Sequence, residues 1–120
     1  MKRLFLILIL FIPSLIFAQS SGFIHPLEYK DTEANRAKVI EYIKSNVKKT
    51  YSEIGMDNPS TLRMMEKEEL RCFKELTQVK NRKLLDRVIN TYCEIGMCNY
   101  NTILMMYNEE LKASSEELEW

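Results

Sequence analysis

The sequence predicts an all-α fold: two αα-hairpin repeats forming a small up-and-down four-helix bundle. The first observation behind this is a stretch written twice. Thr50-Tyr51-Ser52-Glu53-Ile54-Gly55-Met56-Asp57-Asn58 returns 41 residues later as Thr91-Tyr92-Cys93-Glu94-Ile95-Gly96-Met97-Cys98-Asn99. Thr61, Met64, Met65, Glu68, Glu69 and Leu70 likewise recur as Thr102, Met105, Met106, Glu109, Glu110 and Leu111. In all, 13 of the 21 positions from Thr50 to Leu70 are identical, which marks an internal duplication. The second observation is apolar periodicity of three and four residues on either side of each copy. The third is that no Val/Ile/Thr-rich alternation is long enough for a strand.

The repeated stretch has the grammar of a helix stop, a turn and a helix start. Gly55 and Gly96 follow apolar-periodic segments, where a helix ends most easily on a residue that tolerates a left-handed conformation. Met56 and Met97 then fold back onto the last helical turn, as a Schellman-type stop requires. Asn58 and Asn99 are placed to cap the next helix, and Pro59 suits the first helical position of the first copy.

The start of the chain has the pattern of an export signal. Lys2-Arg3 is basic, Leu4 to Ile12 is continuously apolar, and Ile16-Phe17-Ala18 leads to Gln19. Residues 1–18 are therefore expected to be a signal peptide. The apolar run is broken at Pro13 and is shorter than the ~20 residues a spanning helix needs, so no stable membrane insertion is expected after cleavage. The expected location is exported, periplasmic in a Gram-negative source and otherwise secreted.

Residues 19–30 lack a clear period and are expected to form an extended arm, with Phe23, Ile24, Leu27 and Tyr29 available to pack. Residues 31–120 make the helical domain, with repeat one at about 31–79 and repeat two at about 80–120. Asp31 or Thr32 caps a first helix running to about Ile54, with Ile40, Ile43, Val47, Tyr51 and Ile54 as its stripe. The second starts near Pro59, with Leu62, Met65, Cys72, Phe73 and Leu76. The third runs from about Asn81 to Ile95, with Leu84, Leu85, Val88, Ile89, Tyr92 and Ile95. The fourth runs from Tyr100 toward Leu118, with Ile103, Leu104, Met106, Tyr107 and Leu111. Thr77 to Arg82 contains no Gly or Pro, so the break between helices two and three is the weakest boundary.

Charge narrows the function. The chain has 17 basic and 17 acidic residues, and loss of Lys2 and Arg3 with the signal leaves 15 against 17, a net −2. That balance argues against a nucleic-acid partner. It is uneven: Lys30 to Arg87 holds 14 bases and 10 acids, whereas from Val88 onward Lys112 stands against six acids.

An exported chain is expected to carry a disulfide. Cys93 and Cys98 replace Ser52 and Asp57 in the same copy, which favours a local Cys93–Cys98 bridge across the second turn. The alternative pairs Cys72 with either of them across helices. The lone histidine, His25, has no partner at ligand spacing, so no metal site and no cofactor are expected.

Glu69 falls between Met65 and Phe73 inside an apolar stripe, and Glu110 holds the matching place in the second copy. A paired structural carboxylate is the expected role, with Lys44 as the counter-ion of Glu69. Acid–base work by the two carboxylates is the alternative. Met64 and Met105 fall away from the stripe centres and are candidates for an adaptable protein-binding surface, with Glu69 and Glu110 as further candidates. No catalytic set is expected. The leading functional expectation is a small exported binding protein, of inhibitor or immunity type, that engages another protein; a homo-oligomer is compatible with it. An envelope structural or chaperone-like protein is the alternative, ahead of a small carboxylate-dependent hydrolase.

Overall fold

A computed structural model describes residues 22–120. The expected signal peptide and the first residues of the arm lie outside the described residues. Four helices follow in order: α1 Glu33–Ser52, α2 Pro59–Leu76, α3 Arg82–Glu94 and α4 Tyr100–Ala113. No strand occurs among the described residues, and no helix there is long and apolar enough to cross a membrane.

Both turns have the geometry their glycines imply. Gly55 and Gly96 sit at φ of 72° and 79°, in the left-handed region. The Met56 amide donates to the Tyr51 carbonyl at 2.8 Å and the Gly55 amide to that of Ser52 at 3.1 Å. Met97 and Gly96 repeat this on Tyr92 and Cys93 at 2.9 and 3.2 Å. These are paired Schellman stops, which satisfy carbonyls a helix end otherwise leaves open. Where the first copy has Ser52 donating to Asp57 at 3.4 Å, the second has Cys93 and Cys98 joined by a disulfide of 1.97 Å.

The helix starts are less uniform. Thr32, Asn81 and Asn99 cap α1, α3 and α4, each accepting from the amide three residues on. Asn58 precedes α2 in extended conformation but makes no cap bond; its side-chain Nδ2 donates to Ser60 Oγ instead. Pro59 has already removed one donor from that helix start, so less capping is needed. Asn81 is also what ends the uncertainty between α2 and α3. Its side chain takes the Leu84 amide at 3.0 Å, and its own amide donates to Tyr107 Oη at 3.2 Å, so the two helices are separate.

The hairpins stack side by side rather than closing a square. α2 packs on α1 and on α4, and α4 packs on α3, while the backbones of α1 and α3 do not approach. α4 runs in the same sense as α2: Glu69 in mid-α2 meets the start of α4, and Asn81, just past α2, meets Tyr107. Both glycine turns therefore open in the same direction, the second set beside the middle of α1 and α2 rather than level with the first.

The arm bridges the flanks. Phe23 packs edge-on to Tyr42 of α1 and stacks with Tyr100 of α4, and Tyr29 packs edge-on to Phe73 of α2. Tyr100 Oη accepts from the Ile24 amide at 3.2 Å and donates to its carbonyl at 2.9 Å. His25 Nε2 meets Asp86 of α3 at 2.6 Å, and Glu28 pairs with Arg82. Pro26 is fully buried. The arm thus touches all four helices and supplies core that two short hairpins lack.

Equivalent positions of the two copies differ at the two outer faces of the stack that the described residues form. Val47/Val88, Ile43/Leu84 and Leu62/Ile103 are at least half-buried in both copies and hold each hairpin together. Leu85, Ile89, Leu104 and Tyr107 of the second copy are buried, but their counterparts are Lys44, Lys48, Arg63 and Glu66. Conversely, Tyr42, Phe73 and Leu76 of the first copy are buried, and their counterparts Lys83, Ser114 and Glu117 are exposed. Each hairpin is apolar where it meets the rest of the fold and polar where it ends the stack, as terminal repeats must be.

Three expected stripes need correction. In α1 the buried face is Val39, Tyr42, Ile43 and Val47, while Ile40 is 43% exposed. The arm and Tyr100 claim the Tyr42 side of the helix, turning the buried face away from Ile40. Ile54 and Ile95 lie beyond their helices, in the turns, and are 62% and 63% exposed. α4 ends at Ala113, so Leu118 lies outside it, and Leu111 has no helix to cover it.

Candidate functional site

Glu69 is the one buried charged side chain among the described residues, 5% exposed. Its partner is not Lys44 but the start of α4. Oε2 accepts from the Tyr100 amide at 2.7 Å and Oε1 from the Asn101 amide at 3.0 Å. Asn99 Oδ1 takes the next donor, the Thr102 amide, at 2.8 Å. The first three amides of α4 are thus all satisfied, two by a residue from another helix. Burial raises the Glu69 carboxyl above its ordinary value, and the bonds from Asn101 and Tyr100 pull it back only in part.

Glu110 does something different. It is exposed and lies 3.6 Å from Arg87 of α3. α4 starts beside Glu69 and runs in the same sense as α2, so Glu110 lies far along the axis from the start of α2, and among the described residues no helix begins beside it. Ten residues of helix separate Tyr100 from Glu110, a rise of about 15 Å. The two glutamates therefore do not form the close carboxylate pair that hydrolytic acid–base work needs.

Cys72 is buried, and burial pushes its thiol up to about 11, so it stays protonated and unreactive at neutral pH. His25 belongs to the arm's tether, with Nδ1 accepting from the Leu27 amide at 3.1 Å. Among the described residues no three His, Cys, Asp or Glu are grouped to hold a metal ion.

What remains is surface. Met64 and Met105 are 62% and 54% exposed, one turn and a half into α2 and α4. Ile54, Met56, Ile95 and Met97 are exposed in the two turns. Met56 and Met97 remain 50% and 44% exposed although their amides close the helix stops. The bundle thus shows one set twice: Ile54, Met56 and Met64 on the first hairpin, Ile95, Met97 and Met105 on the second. Periodicity placed the two isoleucines in stripes, and so missed them as surface. The signal that finds them is the identity of the copies at positions past each helix stop.

Comparison of the chain with protein-family models, with curated proteins and with solved structures finds no match.

Proposed function

We propose that this chain is a small exported binding protein, of inhibitor or immunity type, that engages another protein through the surface around its two glycine turns. The observation that carries this reading is the doubled apolar set. Ile54/Ile95, Met56/Met97 and Met64/Met105 are identical between copies, yet all are exposed. Core packing does not require them, and large exposed apolar side chains work against solubility. Meanwhile the buried Leu85 and Leu104 have become Lys44 and Arg63 in the other copy. Unbranched methionines suit a surface that adapts to its partner. Two equal sets on one rigid body allow both to engage at once, which strengthens binding beyond either alone.

The test is capture from an envelope extract with the chain from Gln19 onward. One stoichiometric partner is expected, lost when Met64→Lys and Met105→Lys are combined. Neither residue is in the core, so the fold should persist by circular dichroism. Capture that survives both lysines, or the absence of any stoichiometric partner, would overturn the reading.

A further inference from the structure

A second surface lies on the opposite, polar-capped flank of the first hairpin. Two adjoining hollows of about 640 and 250 Å³ share Ile40 and Leu70 and run along the seam between α1 and α2. Ile40 and Leu70 give them an apolar floor. Lys44 and Lys67 line the smaller hollow and Lys74 the larger, and all three are exposed. The acids nearby are engaged: Asp31 with Arg36 and Tyr29, and Glu66 with Arg63. Neither Lys44 nor Lys67 makes an ion pair among the described residues. The groove is therefore apolar below and positive at its rim.

The same chain carries a segment of the complementary kind. After α4, Ser114-Ser115-Glu116-Glu117-Leu118-Glu119-Trp120 leaves the bundle, with Leu118 and Trp120 wholly exposed. Ser114 to Glu116 still bond back to α4, and Glu116 pairs with Lys112; from Glu117 onward, in an extended segment, Leu118 and Trp120 point to one side and Glu117 and Glu119 to the other. One edge is apolar and the other acidic, matching the floor and rim of the groove.

We propose that this groove receives residues 117–120 of a second copy of the chain. Leu118 and Trp120 cover Ile40 and Leu70, and the glutamates meet Lys44, Lys67 and Lys74. A second copy is the occupant because the chain holds Leu118 and Trp120 off its own bundle, wholly exposed. Mutual exchange gives a two-fold dimer with two such contacts. This surface is separate from the one around the glycine turns, so either proposal can fail alone: partner capture reports on one, self-association on the other.

Trp120 is the only tryptophan in the sequence, so its fluorescence reads the segment directly. The chain from Gln19 onward holds every described residue and is the species to use. Raising its concentration should move Trp120 emission to shorter wavelength over the range in which sedimentation velocity shows monomer becoming dimer. Lys44→Glu with Lys67→Glu should weaken the dimer about tenfold or more, since glutamate then faces glutamate. Trp120→Ala, at an exposed site that cannot unfold the bundle, should abolish it. Three results overturn the proposal: emission of a solvated indole at every concentration, a blue shift independent of concentration, which places the segment on its own chain, or a dimer that forms with no change at Trp120.

Discussion

Replacing Glu69 tests the packing of the two hairpins on one another. Its carboxylate holds the Tyr100 amide at 2.7 Å and the Asn101 amide at 3.0 Å. Tyr100 is fully buried and Asn101 half-buried, so after Glu69→Ala the first amide cannot turn to water and the second can do so only in part. An unsatisfied buried donor costs about 1–3 kcal/mol, so the pair should cost on the order of 3 kcal/mol. For a domain of this size that is a fall in melting temperature of roughly 12–24 °C. Glu69→Gln should fall between, because its amide offers one acceptor but turns an NH2 toward the other donor. Glu110→Ala, the same residue in the other copy, should change stability by less than about 0.5 kcal/mol. Urea unfolding followed by circular dichroism gives all three. The midpoint should move with an unchanged slope. The pH dependence has a definite sign. The folded Glu69 carboxyl is raised above its unfolded value of 4.5. Its contribution is therefore fully present below that value and declines as pH rises through the raised one. The difference between wild type and Glu69→Ala should then be larger at low pH than at neutral pH. A Glu69→Ala protein within about 1 kcal/mol of wild type, or a difference that grows with pH, would refute the reasoning.

Two further predictions concern the turns and a third the free cysteine of α2. Gly55→Ala and Gly96→Ala should each cost about 1 kcal/mol or more, since φ is positive at both while no atom crowds the added Cβ; equal melts for either variant and wild type would contradict this. In the second turn, Cys93→Ser with Cys98→Asp should recreate the hydrogen bond of the first copy and keep the fold. It should lose about 2 kcal/mol, the loop-closure contribution of so short a bridge. Digestion of the non-reduced protein should meanwhile yield Cys72 as a thiol that alkylates only after unfolding.

Much of the fold was legible in the chain. The duplication located both turns, and the glycines then dictated left-handed stops, because no other residue adopts that conformation at so little cost. Replacement of Ser52 and Asp57 by Cys93 and Cys98 pointed to the bridge, since residues on either side of one turn are neighbours whatever the rest of the fold does. These are local matters, settled within a few residues. Interior positions of α2 and α3 were also readable, because their stripes are broad and continuous.

Tertiary structure decided what depends on which hairpin faces which. Glu69 was recognisable as buried, but not its partner, because the amides of Tyr100 and Asn101 come from 31 and 32 residues away. Ile40 looks like core on a helical wheel and is surface, because the arm and Tyr100 occupy the neighbouring face of α1. Glu110 looks like the twin of Glu69 and is not, because among the described residues no helix begins beside it as α4 begins beside Glu69. Sequence periodicity reports that a face is apolar; only the assembled hairpins and the arm determine what covers it.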